Sequence, residues 1–238
     1  SETRRAAKLY QWVADKVVFA PVGMSRASYV PQSAQATLAR GTGNTLDKPF
    51  ALYALLLKTG IKARLVYADT RQDPQFFPEI PSIRQTEEAV IAAELDGKTV
   101  WLAPLETDNP FGYLPPRLQD CQGLVVHGET AGELVRTPLA EPQACAFSET
   151  AVMTLDASGR MTVRSTASVT GQYDADWRRF RHETAEEQRK EVEADLNAAA
   201  PGAVLKTFRF RGLNRLAEPL SLETSYALAD YALSAAGV

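Results

Sequence analysis

Histidine and cysteine are what this chain has least of: two of each in 238 residues, His127, His182, Cys121 and Cys145. The count excludes a zinc site with four cysteine ligands, and neither a HExxH nor a CxxC spacing occurs. A Cys–His catalytic pair has only the four combinations these residues allow. No motif calls for a metal or an organic cofactor. Apolar runs are short too, none approaching the ~18 to 20 residues of a membrane-spanning helix. Neither sign of charge dominates, with 26 Lys and Arg against 29 Asp and Glu and a net charge of −3. A dedicated nucleic-acid binder carries a strong basic excess, so that class is set aside.

What remains is ordinary for a folded protein: 45% hydrophobic and 23% charged residues, too apolar for disorder. At roughly 150 residues per domain, one large or two small domains are expected. The chain opens on Ser1-Glu2-Thr3-Arg4-Arg5, directly into a helical pattern without an initiating Met or a leader, and reads as an excised piece or a processed product. Cys121 and Cys145, 24 positions apart, are compatible with a disulfide worth ~3.5 kcal/mol or with two unrelated core thiols.

Ala6, Leu9, Val13 and Val17 recur at helical spacing and predict a first helix that ends before Pro21. A short helix fits 33–39. The strongest pattern, 46–58, is apolar almost all round (Phe50, Leu52, Leu55, Leu56, Leu57), so a buried helix is expected. Pro49 suits its first turn and Gly60 its end. A strand follows at 61–67, then an irregular loop over 70–86 with Pro74, Pro78 and Pro81. Strands at 89–95 and 99–102 flank the hairpin signal Asp96-Gly97-Lys98. After a Pro- and Gly-rich stretch at 104–116 comes a short strand at 124–126. The polar segment 127–143 contains Pro138 and Pro142 and reads as a linker.

Beyond it, 147–155 and 161–169 alternate around Asp156-Ala157-Ser158-Gly159 as a second hairpin. A charged helix is expected from Asp174 to about Ala200, then strands at 204–211 and 220–228. The expected organisation is α+β: a core over 1–126, a linker at 127–143, and a small β-rich domain with one charged helix at 144–238.

The informative stretch is Ala39-Arg40-Gly41-Thr42-Gly43-Asn44-Thr45-Leu46-Asp47-Lys48-Pro49, followed by Ala54-Leu55-Leu56-Leu57-Lys58-Thr59-Gly60-Ile61-Lys62-Ala63. A glycine loop that runs into a helix start is where dipole and free N–H groups favour a thiolate. The stretch resembles the core of the bacterial transglutaminase-like family, in which such a loop delivers a nucleophilic Cys and a Leu-rich run ends in Gly-Ile-x-Ala. Counted back from Gly60, the family's Gly-Asp-Cys-Lys-Asp run falls on Gly43-Asn44-Thr45-Leu46-Asp47, and the nucleophile position on Thr45. Downstream, the segment from Glu88 to Pro104, with Trp101-Leu102-Ala103-Pro104 at its end, is similar to the family's His-led strand, hairpin and Trp-Leu-Asp-Pro strand. Phe111-Gly112-Tyr113-Leu114-Pro115-Pro116 matches the loop that follows. The Asp-Gly-Lys turn fixes this register, so the general-base His falls on Glu88 and the orienting Asp on Ala103. By this resemblance all three triad positions are replaced.

The three roles are not interchangeable. A Thr45 hydroxyl is hardly ionised at neutral pH, an ordinary carboxylate at Glu88 is a poor base toward it, and Ala103 orients nothing. The plain structural expectations are that Thr45 caps the helix that follows, Glu88 is solvated or paired with an Arg, and Asp47 serves the helix N-terminus. His127 and His182 are expected at the surface, and Cys121 with His127 is not expected to form a site. The charge run Arg178 to Glu191 reads as a solvated helix face. Asn44 and the loop aromatics Phe76, Phe77, Phe111 and Tyr113 border the former cleft by the resemblance; the aromatics either line a binding groove or pin their loops onto the core.

The resulting expectation is a transglutaminase-like core without its triad, leaning away from enzyme activity. It would act as a binding or assembly module for a protein or peptide held in the former cleft. The resemblance implies a β-rich domain after the core, another before it that is absent here, and an extracytoplasmic, periplasmic location. The rival expectation is an active hydrolase or acyl-transferase with a rearranged site around Thr45 and Glu88.

Overall fold

The apolar stripe at the start of the chain forms helix α1 (Glu2–Lys16), which buries Ala6, Tyr10, Val13 and Ala14. The computed structural model describes residues 1–23, 28–71, 76–80, 82–127 and 131–232, and divides the chain into two units, Ser1–Pro142 and Gln143–Val238.

In the first unit, strand β1 (Val18–Phe19) lies parallel to β2 (Thr42–Gly43), and α2 (Ala34–Arg40) stands between them in sequence. Ser33 caps α2 by accepting from the Ala36 amide, and Gly41 ends it in the left-handed conformation at φ +69°. Helix α3 (Asp47–Lys58) follows. It is not buried all round: its first turns and Leu52 and Leu56 are inside, while Leu57 is 44% exposed. In its last turn Leu56 stays inside while Leu57 reaches the surface, because only one side of that turn meets the sheet.

That sheet has the order β5-β4-β3-β6-β7, with β3 (Ala63–Ala68), β4 (Glu88–Leu95), β5 (Lys98–Leu102), β6 (Gln122–His127) and β7 (Ala131–Arg136), every pair antiparallel. The β4–β5 hairpin turns on Asp96 and Gly97, both at positive φ, as its sequence predicts. Val66, Ala68, Val90, Ala92, Ala103, Leu114, Leu118 and Val125 form a core cluster of this unit. The loop expected over 70–86 holds a short 3-10 turn at Ile83–Gln85; Pro74 and Pro81 lie outside the described residues.

Within the segment 127–143 expected as a linker, Ala131–Arg136 forms the edge strand of this sheet. β7 pairs with β6 from Gln122↔Arg136 to His127↔Ala131, and the Thr137 hydroxyl accepts from the Cys121 amide at 2.9 Å. This edge strand is exposed but for Val135, which packs against the core, so it carries no apolar alternation and its sequence resembles a linker.

The second unit is a four-stranded antiparallel sheet, order β10-β11-β9-β8, with β8 (Phe147–Leu155), β9 (Met161–Val169), β10 (Val204–Arg211) and β11 (Leu220–Leu228). β9 alternates buried and exposed residues throughout, the pattern of a sheet with one covered face. The charged helix is broken in two: α4 (Gln172–Arg178), a 3-10 turn at Arg179–His182, and α5 (Ala185–Ala199). Thr184 and Glu187 form a capping box that starts α5 afresh. Val169, Phe180, Leu213 and Leu220 make a core cluster here, with Trp177 and Phe210 packed against it.

Arg178 departs from the expected solvated face. Its side chain is 0% exposed, paired with Asp174, and Nη1 donates to the carbonyls of Gly212, Leu213 and Arg215 at 2.9, 3.2 and 2.9 Å. Nη2 donates to Glu218 O at 2.7 Å, so this one guanidinium shapes the turn ahead of β11. Both cysteines are free thiols, Cys121 buried and Cys145 exposed. Among the described residues no helix is long and apolar enough to cross a membrane.

Candidate functional site

The β1–β2 pairing delivers the loop ahead of α3. Ala20 N donates to Gly43 O at 2.8 Å, and a Cβ on Gly43 would stand 2.9 Å from the Lys48 amide nitrogen, so the loop packs onto the helix start only with glycine there. The cap of α3 is Asn44, not Thr45: Asn44 Oδ1 accepts from the amides of Leu46 and Asp47 at 2.9 and 2.8 Å. An Asx side chain two residues before the amide it serves has the right reach, and this frees the next residue. Thr45 is 9% exposed, and its hydroxyl donates to Val22 O at 3.5 Å. Asp47 stays on the first turn, where its carboxylate accepts from the Gln32 amide at 2.8 Å and ties down the lead-in to α2.

The structure brings the Thr45 and Glu88 positions together. Ala89 N, at the start of β4, donates to Thr45 O at 3.4 Å. Leu46, Tyr67 and Ala89 form a small core beside them, with Tyr29, Leu65 and Ile83 packed against it. Burial there pushes the Tyr67 phenol up. The reactive ends of the two side chains do not meet. Arg117 Nε and Nη2 fork onto the two carboxylate oxygens of Glu88 at 2.7 and 3.0 Å, and Nη1 reaches Glu106 at 2.7 Å. Burial works against the Arg117 charge, but the hydrogen bond and charge of Glu88, then those of Glu106, outweigh it and raise its pKa. The bidentate geometry is the strongest way a carboxylate is held.

Ala103 is 3% exposed and serves through its main chain. Its carbonyl lies 3.0 Å from the Tyr10 hydroxyl and accepts from Asn109 Nδ2 at 3.1 Å. Asn109 Nδ2 also donates to Tyr113 O at 2.8 Å, pinning the 109–113 loop. Nearby, the fully buried Lys48 donates from Nζ to Leu105 O at 3.2 Å.

The loop aromatics divide. Phe111 meets Tyr10 edge to face, centroids 5.6 Å apart at 80°, and so pins its loop onto α1. Phe77 is 57% exposed, its amide held by Gln85 Oε1 at 2.7 Å, while Phe76 and Tyr113 are half-buried. Cys121 and His127 sit just before and at the far end of β6, about 20 Å apart at strand rise, so they form no pair. The Cys121 thiol is pushed up by burial and bonds to the carbonyls of Arg117 and Gln119. Among the described residues no cluster of His, Cys, Asp and Glu could hold a metal ion.

Sequence reasoning expected an Arg against Glu88 as one of two readings but did not name Arg117, and it missed Lys48 and the Tyr10–Asn109 pair. Lys48 left a signal, a lone cation at the head of an apolar helix. Arg117 left none, since it lies 29 residues from Glu88.

A helix N-terminus presented to the first residues of an antiparallel sheet defines the class: the papain-like arrangement in which nucleophile and base come from helix and strand. Residues 1–103 match the family model of the transglutaminase-like superfamily. No curated protein matches the chain. Among solved structures, one from Parabacteroides distasonis ATCC 8503, described as that of a "putative protease", is similar over 95% of this chain and 46% of that one, at 9% identity and a TM-score of 0.46. The chain therefore spans about half the length of that protein.

Proposed function

We propose that residues 1–142 form a transglutaminase-like domain without the family's catalysis, which acts as a binding or assembly module. The observation that carries this reading is the Arg117 fork on Glu88 at 2.7 and 3.0 Å. Both carboxylate oxygens of Glu88 are taken up by Arg117, and the Thr45 hydroxyl is turned to Val22 O instead of toward Glu88. Ala103, at the third position, has no side-chain group to orient a base. The partner is a protein or peptide held along the former cleft, for which the exposed Phe77 supplies an apolar contact. By the family resemblance the domain works on the extracytoplasmic side of a bacterial envelope, which fractionation of the native host with a tagged chain would test.

The decisive assay offers glutaminyl and simple ester substrates to the intact protein and to Thr45→Ala. No turnover above background is expected from either. Turnover that Thr45→Ala removes would overturn the reading and restore a rearranged Thr45–Glu88 enzyme.

A further inference from the structure

The two edges of the sheet in residues 143–238 are built differently. The β10 edge carries Lys206, Arg209 and Arg211 and a register irregularity between Leu205 and Thr207, devices that discourage further strand pairing. The β8 edge has neither. It runs nine residues in unbroken register from Phe147↔Val169 to Leu155↔Met161, without proline or lysine and with one charge, Glu149. All of it is exposed, Phe147 by 50%, Val152 by 66% and Met153 by 60%. A long, regular and largely apolar edge of this kind is a template for another strand.

Beside this edge lies a groove of about 480 Å³ between the sheet and helices α4 and α5, walled by Phe147, Trp177, Phe210 and Tyr226. Two carboxylates line it, Glu149 from β8 and Asp195 from α5. Neither has an ion-pair partner among the described residues. Glu186, Glu191, Glu193, Glu218 and Glu223 of the same unit are each paired with a Lys or Arg. The groove is thus apolar in its walls and negative at two unmatched points.

We propose that β8 and this groove form a docking site for an extended peptide with alternating apolar residues and one Lys or Arg, its main chain adding to β8 and its basic side chain entering the groove toward Glu149 and Asp195. Main-chain pairing supplies affinity in such strand addition, and alternate side chains supply specificity. A cross-strand neighbour of Glu149 lies roughly 5 Å away, within reach of a long basic side chain. Its methylene stem and charge both suit aromatic walls. An acidic segment would meet two like charges. A second copy pairing β8 with β8 would bring another Glu149 and no cation, leaving the carboxylates unmatched. The site uses no residue of 1–142, so it stands or falls independently of the proposed loss of catalysis.

The test is titration of the intact chain with a panel of nine-residue peptides, Val, Leu or Phe alternating with Thr around a central Lys or Arg, followed by calorimetry and Trp177 fluorescence. At least one member is expected to bind. Replacing its central residue by Glu, or combining Glu149→Gln with Asp195→Asn in the protein, should weaken binding at least tenfold. Methylating alternate main-chain nitrogens on the pairing edge of the peptide should abolish it. Absence of binding across the panel, equal binding of the Lys and Glu forms, or retention after N-methylation would each overturn the proposal. So would a dimer in light scattering that the exposed substitution Val152→Lys dissolves, since that would give the edge to a second copy.

Discussion

At the tip of the β4–β5 hairpin, Asp96 holds the first turn of α1. Its carboxylate accepts from the Thr3 hydroxyl at 2.7 Å and from the Glu2 and Thr3 amides at 3.0 and 3.2 Å. The Thr3 hydroxyl first, then the two amides, lower its pKa from 3.8 to about 2. A group held below its ordinary value stabilises the fold fully above that value and loses its effect as pH falls through the folded one. The contact should therefore persist at pH 5 and fade between about pH 4 and pH 2. Amide shifts of Glu2 and Thr3 in an NMR pH titration should move together with a midpoint near the low end of that window. A midpoint at an ordinary carboxylate value would refute the anchoring role, and in Asp96→Asn the titration should vanish. Arg178 is the contrasting case. Both residues sit in sequences that look solvated, yet Arg178 is fully buried and its neighbour Asp174 is pushed up by burial against the pull of the guanidinium. Surface or core is decided for such residues by partners far along the chain.

Elements with local punctuation were legible. The Asp96-Gly97 and Asp156-Gly159 turns place both hairpins because their residues favour left-handed backbone and self-capping: Asp96, Gly97 and Gly159 have positive φ, and Asp156 Oδ1 accepts from the Ser158 and Arg160 amides. Helix α3 was placed for the same reason, though its cap was assigned one residue late. Asn44 caps it through two amides, so Asn44→Ala should cost about 1 kcal/mol in thermal unfolding, while Asn44→Asp, which keeps the acceptor, should cost little. If Thr45→Ala proved more costly than Asn44→Ala, the assignment of the cap would fail. Other elements were hidden for physical reasons. β7 is covered only at Val135, too little to impose alternation. The break before α5 was written as Thr184-x-x-Glu187 inside a run of charges that masks the capping box. The candidate site shows the same division. Thr45, Glu88 and Ala103 are singled out by the family resemblance, registered on local turns, but the Arg117 that occupies Glu88 arrives through tertiary structure alone.

At the scale of the molecule, each unit carries its own core, Val66, Val90 and Val125 in one and Val169, Phe180 and Leu220 in the other. Tryptophans report on both: Trp12 and Trp101 belong to the first unit and Trp177 to the second. Arg178→Met is the sharpest perturbation available, because it strands Asp174 and removes the donors that serve the carbonyls of Gly212, Leu213, Arg215 and Glu218. Breaking a buried pair by removing one partner costs about 3–5 kcal/mol. In urea titrations of fluorotryptophan-labelled protein, that loss should lower the midpoint of the Trp177 resonance and leave those of Trp12 and Trp101 in place. A common shift of all three would mean that the two cores unfold as one cooperative body, and a Trp177 shift under 1 kcal/mol would mean that the guanidinium is not what shapes the 212–218 turn. Separate midpoints would instead let the two proposed roles be examined in variants that disable one unit at a time, the former cleft in residues 1–142 and the β8 groove in residues 143–238.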